Sequence, residues 1–191
     1  MYLDNKLVFL AGSTGLAGTS ILQHLLETSP TTRIRAVHYR NTLPFIQHER
    51  IEHVFADARS LDECRRAMKG CDGAILAAAN TTGAAVTISH PWAQVNDNVT
   101  MNTSLLAACH LEGIRRVVFV SSASVYQEFN GHIQEHELLL NQDPPNAYWG
   151  IGWTFRFLEK LCQFWHERHG LEVIIARSAN IFGPYDKFEP A

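Results

Sequence analysis

The chain has 191 residues, 46% of them hydrophobic, enough to bury one substantial core with little left for a second full domain. A formal net charge of -3, a pI near 6.3 and the lack of any Lys/Arg run exclude a surface built to hold nucleic acid. The first apolar run follows Asp4 and Lys6 and is too short for a signal peptide or a membrane span, so a soluble cytoplasmic protein is expected.

Taken in chain order, Leu7 to Ala11 reads as a strand, Leu16 to Leu26 as a helix, and Ile34 to Val37 and Val54 to Ala56 as strands. Leu61 to Met68 is helical in pattern, Ala74 to Ala79 extended, Trp92 to Leu111 a long helix, and Val117 to Val120 a strand. A helix over Trp153 to His169 and a strand over Val173 to Ala176 complete the series. Apolar strands alternating with helices predict an α/β fold, a parallel sheet covered on both faces. The irregular stretch Leu138 to Pro145 ends in paired prolines that halt the chain before the last helix. Cys64, Cys71, Cys109 and Cys162 form no CxxC pair and sit in apolar or helical contexts, which reads as reduced structural thiols.

The chemistry begins at Gly12-Ser-Thr14-Gly15-Leu16-Ala-Gly18, which follows the first strand and opens the first helix. Glycines there permit a tight turn and let backbone approach a pyrophosphate, whose charge the helix N-terminus receives. Selectivity at the adenosine ribose is set at the end of the second strand, by an acid for NAD or an Arg for NADP. That region reads Arg35-Ala-Val-His-Tyr-Arg40 and holds no acid. Arg40 is the candidate for a 2′-phosphate, with Arg35 second, and NADP(H) is favoured over NAD(H). Asp57, with Ala58 beside it after the third strand, either meets the adenine amino group or serves the N-terminus of the next helix.

Two histidine pairs have spacings a metal could use, His132/His136 and His166/His169, but neither is a His-Glu-x-x-His motif, and they read as surface residues with no metal site. No Gly-x-Ser-x-Gly elbow supports hydrolase chemistry.

From Leu7 to Pro190 the order of motifs resembles the extended short-chain dehydrogenase/reductases of the NAD(P)-dependent epimerase/dehydratase type. The similarity rests on the glycine loop, Asp57, Ala77-Ala78-Ala-Asn80, Asn98, Val120-Ser-Ser122-Ala-Ser124-Val-Tyr126 and Arg177-Ser-Ala-Asn-Ile-Phe-Gly-Pro184. Ala79-Asn-Thr-Thr-Gly83, Asn98-Val-Thr-Met-Asn102 and Gly183-Pro-Tyr-Asp-Lys-Phe-Glu-Pro190 are most similar to GDP-L-fucose synthases. The resemblance implies a Rossmann doubly wound sheet of six strands in order 3-2-1-4-5-6, occupying residues 1–191 as one NAD(P)-binding domain, with the family's C-terminal substrate domain missing. Gly12, Thr14, Gly15, Leu16, Gly18, Arg40, Asp57, Ala58, Ala78 and Asn98 become its cofactor residues, and a homodimer through the long helices its expected assembly.

In such enzymes hydride passes between nicotinamide and a nucleotide-linked sugar while a Tyr, with a Lys four residues on, moves the proton. Here Ser122 matches the substrate-orienting Ser, and Ser124 stands where fucose synthases use a Cys. Aligning on Gly170 and Gly183-Pro184 puts Ile151 at the Tyr position and Phe155 at the Lys position. Tyr148 lies one turn earlier, without a Lys partner, and is a weak substitute. Two functions are therefore carried forward: a nucleotide-sugar epimerase or reductase, an isomerase or oxidoreductase by descent whose activity is weak or lost, and a non-catalytic dinucleotide-binding module acting as sensor or as partner of an active homologue.

Overall fold

Strands and helices alternate along the chain as β1 (Leu7–Ala11), α1 (Leu16–Thr28), β2 (Arg33–His38), β3 (Ile51–Phe55), α2 (Leu61–Met68), β4 (Gly73–Leu76), α3 (Pro91–Leu111), β5 (Arg116–Ser122), α4 (Trp149–His169) and β6 (Glu172–Ser178). They belong to a computed structural model that describes residues 3–39, 44, 46–80 and 91–186. The sheet has six strands in the order β3-β2-β1-β4-β5-β6, as expected, and every neighbouring pair is parallel. Order reverses between β1 and β4, which opens a crevice at the carboxyl ends of those strands.

Side chains alternate across the pleat and sort into two cores. Phe9, Ala11, Val37, Ala74, Leu76, Val117 and Phe119 face α2, α3 and α4, where Met68, Leu105, Leu106, Leu158 and Cys162 pack against them. Leu10, Ile34 and Ala36 face the other way, onto Leu22 and Leu25 of α1. The two faces are unequally clothed. Among the described residues α1 is the one helix on its side, and Val118 and its register partner Ile174 face outward there, Ile174 at 67% exposure.

Local sequence explains the helix ends. Ser60 caps α2 by accepting from the Glu63 N–H at 3.4 Å, and Asp62 and Glu63 in the first turn with Arg65 and Arg66 in the last suit the helix dipole. Gly170 ends α4 in the left-handed conformation, φ 70°, which glycine adopts without penalty. Helix α4 starts at Trp149, four residues ahead of the expected Trp153, through a 3-10 turn over Asn146–Tyr148 that follows the prolines. Strand β4 stops at Leu76 rather than Ala79, because Ala77 and Ala78 turn against Gly12. Strand β3 begins at Ile51 rather than Val54, and its Ile-Glu-His-Val-Phe alternation is that of an edge strand instead of a buried one.

Candidate functional site at the carboxyl edge of the sheet

The glycine loop is shaped by contacts that no other residue permits. Gly12 has φ 80°, and a Cβ there would lie 2.7 Å from the Ala77 carbonyl oxygen and 2.8 Å from the Ala78 Cα. A Cβ on Gly18 would collide with the Gly12 carbonyl, so the first turn of α1 rests directly on the loop. Ser13 pins the loop to β2, donating from its backbone at 3.2 Å and its hydroxyl at 3.0 Å to Val37 O. Thr14 and Leu16 are half-buried and Gly15 is exposed at the helix start. Helix α1 has no side-chain cap and no acid in its first turn. Its leading N–H groups and positive dipole end therefore face the crevice, a cradle that a pyrophosphate fits.

At the carboxyl ends of the two outer strands, Tyr39 follows β2 and Asp57 follows β3. Arg40 lies outside the described residues. Arg35 sits mid-strand, and its guanidinium is spent on Glu52 at 2.9 Å and on the carbonyls of Ala67 and Lys69 at 3.0 and 2.7 Å, so it does not reach the ribose end. Asp57 does not cap α2, a task Ser60 performs. Its carboxylate accepts from the Arg59 N–H at 2.9 Å and from the Arg59 guanidinium at 3.0 and 2.8 Å. Arg59 also donates to the Tyr39 hydroxyl at 2.8 Å, lies 5.1 Å from the Tyr39 ring centroid, and approaches Asp97 at 3.6 Å. Its hydrogen bonds to Asp57, and then the charge of that carboxylate, raise the guanidinium pKa above its ordinary value. Ala58 is half-buried against the larger core, as is Ala78 beside Gly12.

Asn98, fully buried, holds the loop after β4. Its Oδ1 accepts from Asn80 N–H at 2.8 Å, while its Nδ2 donates to Asn80 O at 3.2 Å and Gln94 O at 2.7 Å. Its amide thus positions the Ala77–Asn80 backbone that walls the crevice.

The crevice wall made by the end of β5 and the start of α4 differs in character. Ser122 ends β5, and its hydroxyl accepts from Ser124 N–H at 3.2 Å, capping the 3-10 turn Ala123–Val125. The Ser124 hydroxyl is buried and has no hydrogen-bond partner among the described residues. Ile151 is half-buried against the larger core, and Phe155, at 7% exposure, has its ring 6.2 Å from that of Phe119. Both side chains are hydrocarbon packed onto the sheet, and neither carries a proton to move. Tyr148 stands on the surface at 58% exposure. Gly152 lets α4 press onto this turn: a Cβ there would lie 2.5 Å from Ser124 O.

Behind the turn runs a buried polar network that the sequence did not reveal. Glu159 accepts from the Ser121 hydroxyl at 2.6 Å and from Arg177 at 3.0 and 2.9 Å, and Arg177 also donates to the Tyr126 hydroxyl at 3.0 Å. Arg156, at 2% exposure, donates to the carbonyls of Val125 at 2.6 Å and Gln142 at 2.5 Å. The signal for the first was present, since Glu159 continues the same helix face one turn beyond Phe155. The Asp57–Arg59 spacing was legible too, but its convergence with Tyr39 and Asp97 required the fold. His132 and His136 lie in an exposed loop, His136 within a 3-10 turn, so their spacing does not form a helical pair.

A glycine loop joining β1 to α1 beside a reversal of strand order, with an adenosine-side acid and an apolar wall opposite, defines a Rossmann dinucleotide-binding domain. The pattern of the NAD dependent epimerase/dehydratase family matches residues 8–191, and the chain belongs to that family. It is 27% identical over 192 residues to a GDP-L-fucose synthase of Sinorhizobium fredii, covering 99% of this chain and 56% of the relative. Among solved structures, it superposes at a TM-score of 0.80 on a UDP-N-acetylglucosamine 4-epimerase from Methanobrevibacter ruminantium, with 23% identity over 98% of this chain and 59% of the other. A GDP-mannoheptose C4 reductase from Campylobacter jejuni, solved with NADP bound, superposes at 0.76 with 16% identity over 93% of this chain and 52% of the other. The chain spans about half the length of the curated relatives it matches.

Proposed function

We propose that this chain binds a nicotinamide dinucleotide across its switch point, as a nucleotide-sugar epimerase or reductase of GDP-L-fucose synthase type whose acid–base chemistry is weak or lost. The observation that carries the reading is the pairing of an intact glycine cradle with a half-buried Ile151 and a buried Phe155 at the positions where the family resemblance puts its Tyr and Lys. When bound, the cofactor supplies or accepts hydride. The chain's own residues receive the pyrophosphate at Gly12–Gly18, hold the adenosine beside Asp57 and Ala58, and wall the crevice with Ala78, on a backbone that Asn98 holds at Asn80. Ser122 orients a sugar oxygen, while Ser124 is a far weaker acid/base than a thiol. Loss of one positioned acid/base typically lowers a rate about 10²–10⁴-fold. NADP(H) is the preferred cofactor, with Arg40 its phosphate partner.

The burial of Phe155 also favours a second reading, a non-catalytic module that senses cofactor or pairs with an active homologue. Its pairing surface is α3 and α4, where Phe157 and Phe164 stand 48% and 46% exposed, the same face through which a homodimer forms. Among the described residues no helix is long and apolar enough to cross a membrane. The reading includes a cytoplasmic location, with residues 1–191 forming an NAD(P)-binding domain.

Titration of the purified chain with NADPH and NADH, followed by energy transfer from tryptophan to nicotinamide, tests the first reading. Saturable binding of either supports a cofactor site, and failure of both overturns it. The double substitution Ile151→Tyr with Phe155→Lys separates the two functions. Recovered NADPH oxidation with a nucleotide-linked 4-ketosugar marks a decayed enzyme, and unchanged inactivity with retained binding marks the module.

A further inference from the structure

The β3–α2 turn contributes a group to the adenosine corner that the glycine loop and the end of β2 do not account for. Three charges meet there. Asp57 and Asp97 are carboxylates from different elements, and Arg59 lies between them, 2.8 Å from the first and 3.6 Å from the second. The Arg59 guanidinium is also fixed against β2, both through the Tyr39 hydroxyl at 2.8 Å and over its ring at 5.1 Å. Tyr39 follows directly on β2, at the strand end beside which an adenosine ribose lies in this kind of fold. Stripped of Arg59, the corner would present two carboxylates to whatever sits at the ribose 2′ position and would repel a phosphate there. With Arg59 in place one carboxylate is neutralised and a planar cation, suited to phosphate, stands next to the ribose.

We propose that Arg59 is a second specificity-determining residue for the cofactor's 2′ position, beside Arg40, making the corner tolerate and hold a 2′-phosphate that Asp57 and Asp97 would otherwise reject. The proposal rests on the cofactor-binding reading above. It is distinct from Arg40, because it assigns selectivity to the turn after β3. Asp97 acts in opposition to it, and its other contact, accepting from Asn80 Nδ2 at 2.9 Å, ties the same carboxylate to the crevice wall.

The test uses probes that read the adenosine corner alone. Calorimetric titration with 2′,5′-ADP and 5′-ADP is made on the unmodified chain, on Arg59→Met and on Asp97→Asn, at low and at physiological salt. Arg59→Met is expected to weaken 2′,5′-ADP about tenfold or more, the scale of a lost hydrogen bond to a charged group, and 5′-ADP less than about threefold. Asp97→Asn keeps a carbonyl acceptor for Asn80 and is expected to shift the other way, tightening 2′,5′-ADP about two- to fivefold, with the gain shrinking as salt rises. Arg59→Met weakening both ligands in parallel would mean that Arg59 merely shapes the corner, and that result, or an unchanged or weaker 2′,5′-ADP affinity in Asp97→Asn, overturns the proposal. Normal selectivity for 2′,5′-ADP retained in Arg59→Met overturns it while leaving the cofactor site intact. Binding of neither probe by the unmodified chain overturns the cofactor reading together with it.

Discussion

Replacing Glu159 with Ala isolates the network behind the candidate site. The carboxylate is 8% exposed and receives the Ser121 hydroxyl at 2.6 Å and the Arg177 guanidinium at 2.9 Å. Removing it strands a guanidinium that is itself 18% exposed and leaves the Ser121 hydroxyl without its acceptor. Breaking a buried pair on one side costs about 3–5 kcal/mol, and the lower end applies because Arg177 keeps Tyr126 Oη at 3.0 Å and Glu135 O at 2.9 Å as acceptors. At about 2–4 °C per kcal/mol for a chain of this size, Tm should fall by about 6–12 °C in a thermal scan followed by circular dichroism. Glu159→Gln should lose less. The double substitution of Glu159 and Arg177 by Met should be more stable than the sum of the single losses predicts, since neither charge is left alone. A fall under about 1 kcal/mol for Glu159→Ala, or strict additivity of the two single substitutions, would refute the view that this pair is buried and mutually dependent.

Gly18→Ala gains about 1 kcal/mol of helix propensity, yet its Cβ meets the Gly12 carbonyl, so both Tm and cofactor affinity should drop. Gly113→Ala, with φ 75° but nothing within 4 Å, should lower Tm slightly and leave binding alone, and equal effects on binding would count against the close approach at Gly18. Burial pushes the thiols up, Cys71 to about 11 and Cys64 and Cys162 to about 12, with Cys109 raised further by the same cause. An unfolded thiol ionises near pH 8.5, so stability is full below about pH 8 and falls as pH rises past 9, by at most about 1.4 kcal/mol per unit for each thiol. Urea unfolding at pH 7.5 and 9.5 measures this. A thiol reagent should label none of the four in the native chain and all of them in urea; rapid native labelling would contradict their burial.

The glycine loop was legible because its logic is local: a strand, three glycines and a helix in sequence imply the turn whoever the neighbours are. The strand series was legible for a related reason, since buried parallel strands advertise themselves as unbroken apolar runs. Reading failed where local and tertiary preferences part. Ala77 to Ala79 look like more strand, but Gly12 accepts no pleat beside it and turns them aside. Gly150 and Gly152 weaken the helical signal ahead of Trp153, although Gly152 is what lets α4 begin early against Ser124. Arg35 looked free to serve a phosphate, and only the fold shows that the C-terminal carbonyls of α2 claim it. The part Arg59 plays is hidden beyond its spacing from Asp57, because its other partners, Tyr39 and Asp97, lie 20 and 38 residues away.

The uneven clothing of the sheet bears on how this protein behaves in a crowded solution. Strand β6 is the outermost strand of the described sheet, and its outer row of backbone donors and acceptors has no strand to pair with among the described residues. On the same strand Ile174 offers an apolar face at 67% exposure. An edge of that kind is a template for a strand from another chain. At high concentration the molecule should begin to associate through β6 while its two cores are still intact, and Ile174→Lys should delay that onset while changing stability by no more than about 0.5 kcal/mol.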